Sequence, residues 1–309
     1  MITFLISFVA LILGYTVYGK FVERVFAPDN RTTPAVAQAD GIDYVAMPYW
    51  KVFMIQFLNI AGTGPIFGAI MGSFYHVVAT RLSNDESIIS PASHCPRCNH
   101  YLKWYENIPI ISYIILRGEC SNCKAKIPIS YLIAEVVTGL LFSVCFNSFG
   151  LSVDLIIAII FISSLITVII SDIEYMIILD EVLIVSGLLI ILVNIFGKGL
   201  ETTAGHIYSG VGAFLVMYSI KILGDKAFKK ESLGGGDIKL MFLFGLVLDF
   251  PMSIMTIFLA TFIAFPVALI ILLSSKENII PFGPFLSMAA MIILMSKLNI
   301  MDILEMLVS

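Results

Sequence analysis

Charge is what this sequence has least of. Only 13% of its 309 residues are Asp, Glu, Lys or Arg, about half the share found in soluble globular domains, so water is not the main solvent of the fold. Regular alternation of polar and apolar residues in ten-residue segments is also missing, which removes a membrane β-barrel. The formal net charge is -4, and the placement of Lys and Arg gives no support to a nucleic-acid partner. Residues Met1 to Gly19 lack both a basic leading segment and a small-residue cleavage site, so they predict a retained helix rather than a signal peptide. Cysteine is scarce as well: Cys145 is alone in an apolar run, and the other four share one polar segment.

What is present is 59% hydrophobic residues and a mean hydropathy of +0.98. Apolar runs near the roughly 20 residues that cross a hydrocarbon core recur along the whole chain, and a helix is the structure that satisfies its own backbone there. The runs predict an all-α polytopic membrane protein of about nine transmembrane segments, near 2–21, 52–80, 129–149, 153–171, 180–196, 204–223, 238–250, 252–274 and 282–296. The one sizeable polar insertion, Arg81 to Lys126, carries Arg81, Arg97, Lys103, Arg117, Lys124 and Lys126. Positive charge marks it as cytoplasmic. Threading from there puts Lys221, Lys226, Lys229, Lys230 and Lys276 on the same side, together with Asp172 and Asp237. Lys20, Arg24 and Arg31 break the pattern by falling outside.

Within the insertion, Cys95-Pro96-Arg97-Cys98 and Cys120-Ser121-Asn122-Cys123 form two CxxC pairs, with Cys98 and Cys120 22 positions apart. Two knuckles of two thiolates complete a tetrahedral shell, so the segment predicts a small zinc-ribbon-like module with a structural Zn on Cys95, Cys98, Cys120 and Cys123. A polar module of this size has too little apolar content to fold without such a staple. A redox pair is the weaker reading. His94 and His100 flank the first knuckle and are expected at the surface.

Two acidic segments interrupt the apolar runs: Ser171-Asp172-Ile173-Glu174-Tyr175 ends one, and Gly234-Gly235-Gly236-Asp237-Ile238-Lys239 opens another. Ionisable groups at such places are costly and usually functional. Two carboxyls brought together share a proton, so that one activates water while the other protonates a carbonyl oxygen. The glycines let backbone approach closely. Each aspartate taken singly also has a structural explanation, as an interfacial helix end or an N-cap, and Asp180, Glu174, Asp225 and Asp154 are further acidic candidates that composition does not rank.

From about Gly68 onward the chain resembles the type IV prepilin peptidases, a family of GxGD membrane aspartyl proteases. Carrying the resemblance are Gly72-Ser73-Phe74 with Arg81, the two CxxC pairs, Asn107-Ile108-Pro109, Ser112-Tyr113, Leu116-Arg117-Gly118, Tyr131 with Glu135, both aspartate segments, and Pro281-Phe282-Gly283-Pro284. The resemblance implies Asp172 and Asp237 as the catalytic pair, with Gly234, Gly235, Gly236, Lys239 and Asp180 in support. It further implies leader removal from prepilin or pseudopilin substrates at the cytoplasmic face of the bacterial inner membrane, and N-methylation of the new terminus from S-adenosylmethionine. Only the resemblance carries that last activity. Leu179 stands where the family usually has a proline before Asp180.

Residues 14–72, including Gly62-Thr63-Gly64-Pro65, are instead similar to the start of carbon-starvation family transporters. The expected divisions are therefore 1–67 as an N-terminal membrane segment, 68–80 as the end of the first peptidase span, 81–127 as the cytoplasmic zinc module and 128–309 as the membrane peptidase core. A transporter of that type is the alternative function, although the remainder lacks a matching inverted half. A non-catalytic zinc-bearing membrane scaffold is a third.

Overall fold

The structure, a computed structural model, describes residues 63–229, 233–273 and 280–297. Lys20, Arg24, Arg31, Lys230, Lys276 and the expected first span lie outside them. The chain divides into two units, Met1–Ile60 and Ala61–Ser309, and every described residue belongs to the second. It is built from α1 (Thr63–Ser83), α2 (Ile111–Ile115), α3 (Ile129–Phe149), α4 (Val153–Tyr175), α5 (Asp180–Lys198), α6 (Leu200–Phe228), α7 (Gly235–Val247), α8 (Phe250–Leu273) and α9 (Gly283–Ser296). Helices α3, α4, α5, α6 and α8 are long and apolar enough to cross a membrane. Helix α7, at 13 residues, rises only about 20 Å, short of the roughly 30 Å hydrocarbon core. The expected nine spans are thus not established among the described residues.

Helix α4 is the centre. It is 61% buried over its most apolar window, against 11% for α8, because α1, α3, α5 and α9 all pack on it. Ser152 caps its start by accepting the Leu155 N–H, a bond that satisfies one of the free amides of a helix beginning. Between α1 and α3 the packing is by small residues: a Cβ on Gly68 would lie 2.7 Å from Gly139 Cα, and one on Gly72 2.7 Å from the Ala134 carbonyl. Lipid supplies no hydrophobic drive between helices, so close backbone approach of this kind is what holds such pairs.

Beside the helices sits the polar insertion. Short antiparallel bridges, His94 with Tyr101 and Glu119 with Lys126, close its two knuckles.

Candidate functional site

Helix α4 does not stop at Asp172 but runs on to Tyr175, and Met176 after it turns out with φ 57°. Asp172 is therefore held inside a helix, buried, with the Met176 N–H bonded to its carbonyl at 3.0 Å. Asp237 is the third residue of α7, after Gly235 and Gly236, with Gly234 as N-cap. Its carboxylate reaches back to the Gly234 N–H, which is half of a capping box. The Asp172 carboxylate accepts the N–H of Gly283, first residue of α9, where the positive end of a helix favours an anion. Three segments thus converge: the end of α4 and the beginnings of α7 and α9.

Gly236 and Gly283 make the convergence possible. A Cβ on Gly283 would lie 2.5 Å from Asp172 Oδ2 and 3.0 Å from Ile178 Cδ1, and one on Gly236 2.6 Å from Ile178 Cβ. Ile178 fills the space between the two glycines and fixes the chain leaving α4. Asp172 and Asp237 are 6% and 7% exposed and close enough for the Asp172 charge to act on Asp237. Asp237 Oδ1 is buried without a hydrogen-bond partner, a costly condition for a carboxylate oxygen unless a proton, water or substrate uses it.

Three of the other acidic candidates pair elsewhere. Asp180 accepts from Lys239 Nζ at 2.6 and 2.8 Å, a half-exposed pair that ties α5 to α7 near Asp237. Glu174 faces the buried His76 at 3.3 Å, and Asp154 pairs with Lys198 at 2.6 Å. Gly235 has open space where a Cβ would be. Sequence reasoning missed Ile178, which carries no polar signal, and His76, which sits in an apolar helix stacked on Tyr131 at 3.6 Å.

In the insertion the four sulfurs of Cys95, Cys98, Cys120 and Cys123 all lie within 4.8 Å of one another, with Cys95–Cys123 at 3.8 Å and Cys98–Cys120 at 3.9 Å. Ligands 2.3 Å from a tetrahedral zinc are about 3.8 Å apart, so the cluster fits a metal ion of that size. Backbone N–H groups of His100 and Ala125 bond Cys98 and Cys123, and Asn122 Nδ2 lies 3.8 Å from Cys98 Sγ. Such outer partners steady thiolate ligands. His94 and His100 are partly buried rather than fully at the surface. His100 lies 3.4 Å from Glu106. Bonds from Ser121, the Lys103 N–H and His100 hold the Glu106 carboxyl below its usual range, so this buried side chain stitches the two knuckles together.

Among family models, the Bacterial Peptidase A24 N-terminal domain matches residues 66–149, the Type IV leader peptidase family residues 159–269, and Carbon starvation protein CstA residues 1–76. A prepilin leader peptidase/N-methyltransferase of Bacillus subtilis is 33% identical over 222 residues, 71% of this chain and 87% of that protein. One of Myxococcus xanthus is 35% identical over 189 residues, 59% of this chain and 56% of that protein's length. An uncharacterized membrane protein of Haemophilus influenzae is 49% identical over 80 residues, 26% of this chain and 22% of its own. No solved structure matches.

Proposed function

Because this chain belongs to the type IV leader peptidase family, we infer that it is an aspartic endopeptidase of the bacterial inner membrane that removes leader peptides from prepilin-like substrates. The observation that carries this reading is the meeting of Asp172 and Asp237, both buried, with Asp237 Oδ1 unpartnered. Two such carboxyls hold one proton between them. The ionised one takes a proton from water, whose oxygen attacks the scissile carbonyl, while the protonated one donates to the carbonyl oxygen. Collapse of the tetrahedral species returns a proton to the leaving amine. The Gly283 and Gly234 N–H groups keep both carboxyls oriented, and Gly236 leaves room for Ile178, which packs beside the pair.

Zinc is the ion we assign to the four thiolates, with a structural role: closed thiolate shells leave no position for substrate. N-methylation from S-adenosylmethionine is assigned on the names of the relatives. We assign residues 1–67 as the N-terminal membrane segment, 68–80 as the end of the first peptidase span, 81–127 as the zinc module and 128–309 as the peptidase core. Incubating the purified protein in lipid with a prepilin bearing its leader tests the reading. Leader release by the parent, slowed at least about 100-fold in folded Asp172→Asn or Asp237→Asn, is the expected result; parental turnover by either variant overturns it.

A further inference from the structure

Helix α2 presents a face that water should not see. Ile111, Ile114 and Ile115 are 54%, 65% and 72% exposed and belong to the run Ile108-Pro109-Ile110-Ile111-Ser112-Tyr113-Ile114-Ile115-Leu116, flanked by Asn107 and Arg117. The polar insertion has no need of such a run. Its depth explains it. The Ile110 N–H donates to Glu135 Oε2 at 2.7 Å, and Glu135, itself buried and bonded to Ser73 of α1, stands six residues into α3, about 9 Å along that helix. Ile129 and Ile133, nearer the cytoplasmic end of α3, are 62% and 53% exposed, so the lipid-facing surface already begins above Glu135. On α1, Ile70, Phe74, Val77 and Arg81 wall a cavity of about 290 Å³ together with Pro91, Asn107 and Pro109, so the insertion lies along α1 from near its end at Ser83 down to Ile70. Asn107, Pro109 and Ile110 therefore pack against α1 and α3 within the length of those helices rather than beyond their ends.

Backbone at that depth must satisfy itself, and this segment does. Ile111 N–H bonds the Pro109 carbonyl, Ser112 that of Ile108, Ile114 that of Ile110, and Leu116 that of Ser112. We propose that residues 108–116 form a re-entrant anchor whose isoleucines insert into the cytoplasmic leaflet, with the bilayer as the occupant of the α2 face. Charge along the chain agrees: Lys103 and Arg117 bracket the run, and the module's cations outnumber its acids Asp85, Glu86, Glu106 and Glu119, as suits an apolar face in an anionic interface. The anchor holds the module against the membrane.

The test reconstitutes the full-length chain, with Trp50 and Trp104 changed to Phe and Ile114→Trp or Ile115→Trp in turn, into vesicles of phosphatidylcholine and phosphatidylglycerol. Lipids brominated on the upper acyl chain should remove most of the new emission, and aqueous iodide little of it. As a check free of substitutions, a photoactivatable acyl-chain lipid should label residues 110–116 of the unaltered chain. Strong iodide quenching with no bromolipid effect overturns the proposal, because the face is then in water. Shielding from both quenchers, without lipid labelling, also overturns it, because protein then covers the face.

Discussion

The helices that carry Asp172 and Asp237 bury Leu165, Val168, Leu240 and Met241; between residues 84 and 127 the only buried ones among those described are Cys95, Glu106, Gly118 and Cys120. The membrane centre is positioned by apolar helices and by glycines that let three segments touch. The cytoplasmic centre has almost no apolar interior, so its organisation comes from the sulfurs and from Glu106. One site should fail when space is filled, the other when the ion is taken away.

The largest effect should come from the dyad itself. A carboxamide keeps the size of a carboxyl but cannot exchange its proton, so Asp172→Asn and Asp237→Asn should each cost about 10²- to 10⁴-fold in cleavage rate. The double variant should be little worse than either single one, since the residues act as a unit. The parent should show a bell-shaped pH profile whose two limbs belong to the pair jointly. Additive losses in single-turnover cleavage would break the pairing.

Next is Gly283→Ala. Its methyl would press on Asp172 Oδ2 and Ile178, and a misplacement approaching 1 Å at a reacting group costs about 100-fold. Thermal melting should change less than turnover does. Gly235→Ala is the control, since open space awaits its methyl; equal loss in both variants would show that the glycines serve flexibility rather than fit.

The module should respond to other agents. Cys120→Ser or a strong chelator should remove the metal and let the insertion become protease-sensitive, because binding energy of a structural zinc is folding energy. Limited proteolysis should then cut within residues 84–127 and spare the membrane helices, with a smaller fall in cleavage than Gly283→Ala gives. Acid should act in the same direction. Glu106 has a depressed folded-state pKa, so its contribution is present above the ordinary carboxylate value and is lost as pH falls through the folded one, while thiolate protonation releases the ion. A module that stays protease-resistant without metal would undo the contrast between the two centres.

Much of this was legible beforehand because each signal was short and local. The CxxC pairs carried their own spacing, and the bounds of α3 follow from an apolar run closed by Pro128 and Gly150. The aspartates were visible as charge amid apolar residues. Their partners were not. Gly283 meets Asp172 across 111 positions and Ile178 meets Gly236 across 58, contacts that no periodicity encodes. Helix α7 has the expected length but begins three residues before the expected 238, because the Gly234 N-cap and the Asp237 carboxylate close a first turn through Gly235 and Gly236. His76 was invisible because an apolar helix gives no hint of which side chain faces Glu174.

The smallest effect should be at Asp180 and Lys239, whose ion pair ties α5 to α7 near Asp237. Both side chains are half exposed, 51% and 52%, so water and headgroups compete for each charge, and pairs of this kind contribute only about 0.2–1 kcal/mol. Lys239→Ala should therefore slow cleavage no more than about fivefold, and Asp180→Ala should match it, because each removes the same bond. Asp180→Asn should fall between them and the parent, since an amide still accepts a hydrogen bond from the ammonium. The pH profile should keep both limbs in all three. A loss at Asp180 as large as that at Asp172 would place a third carboxyl, from the start of α5, in the proton transfer.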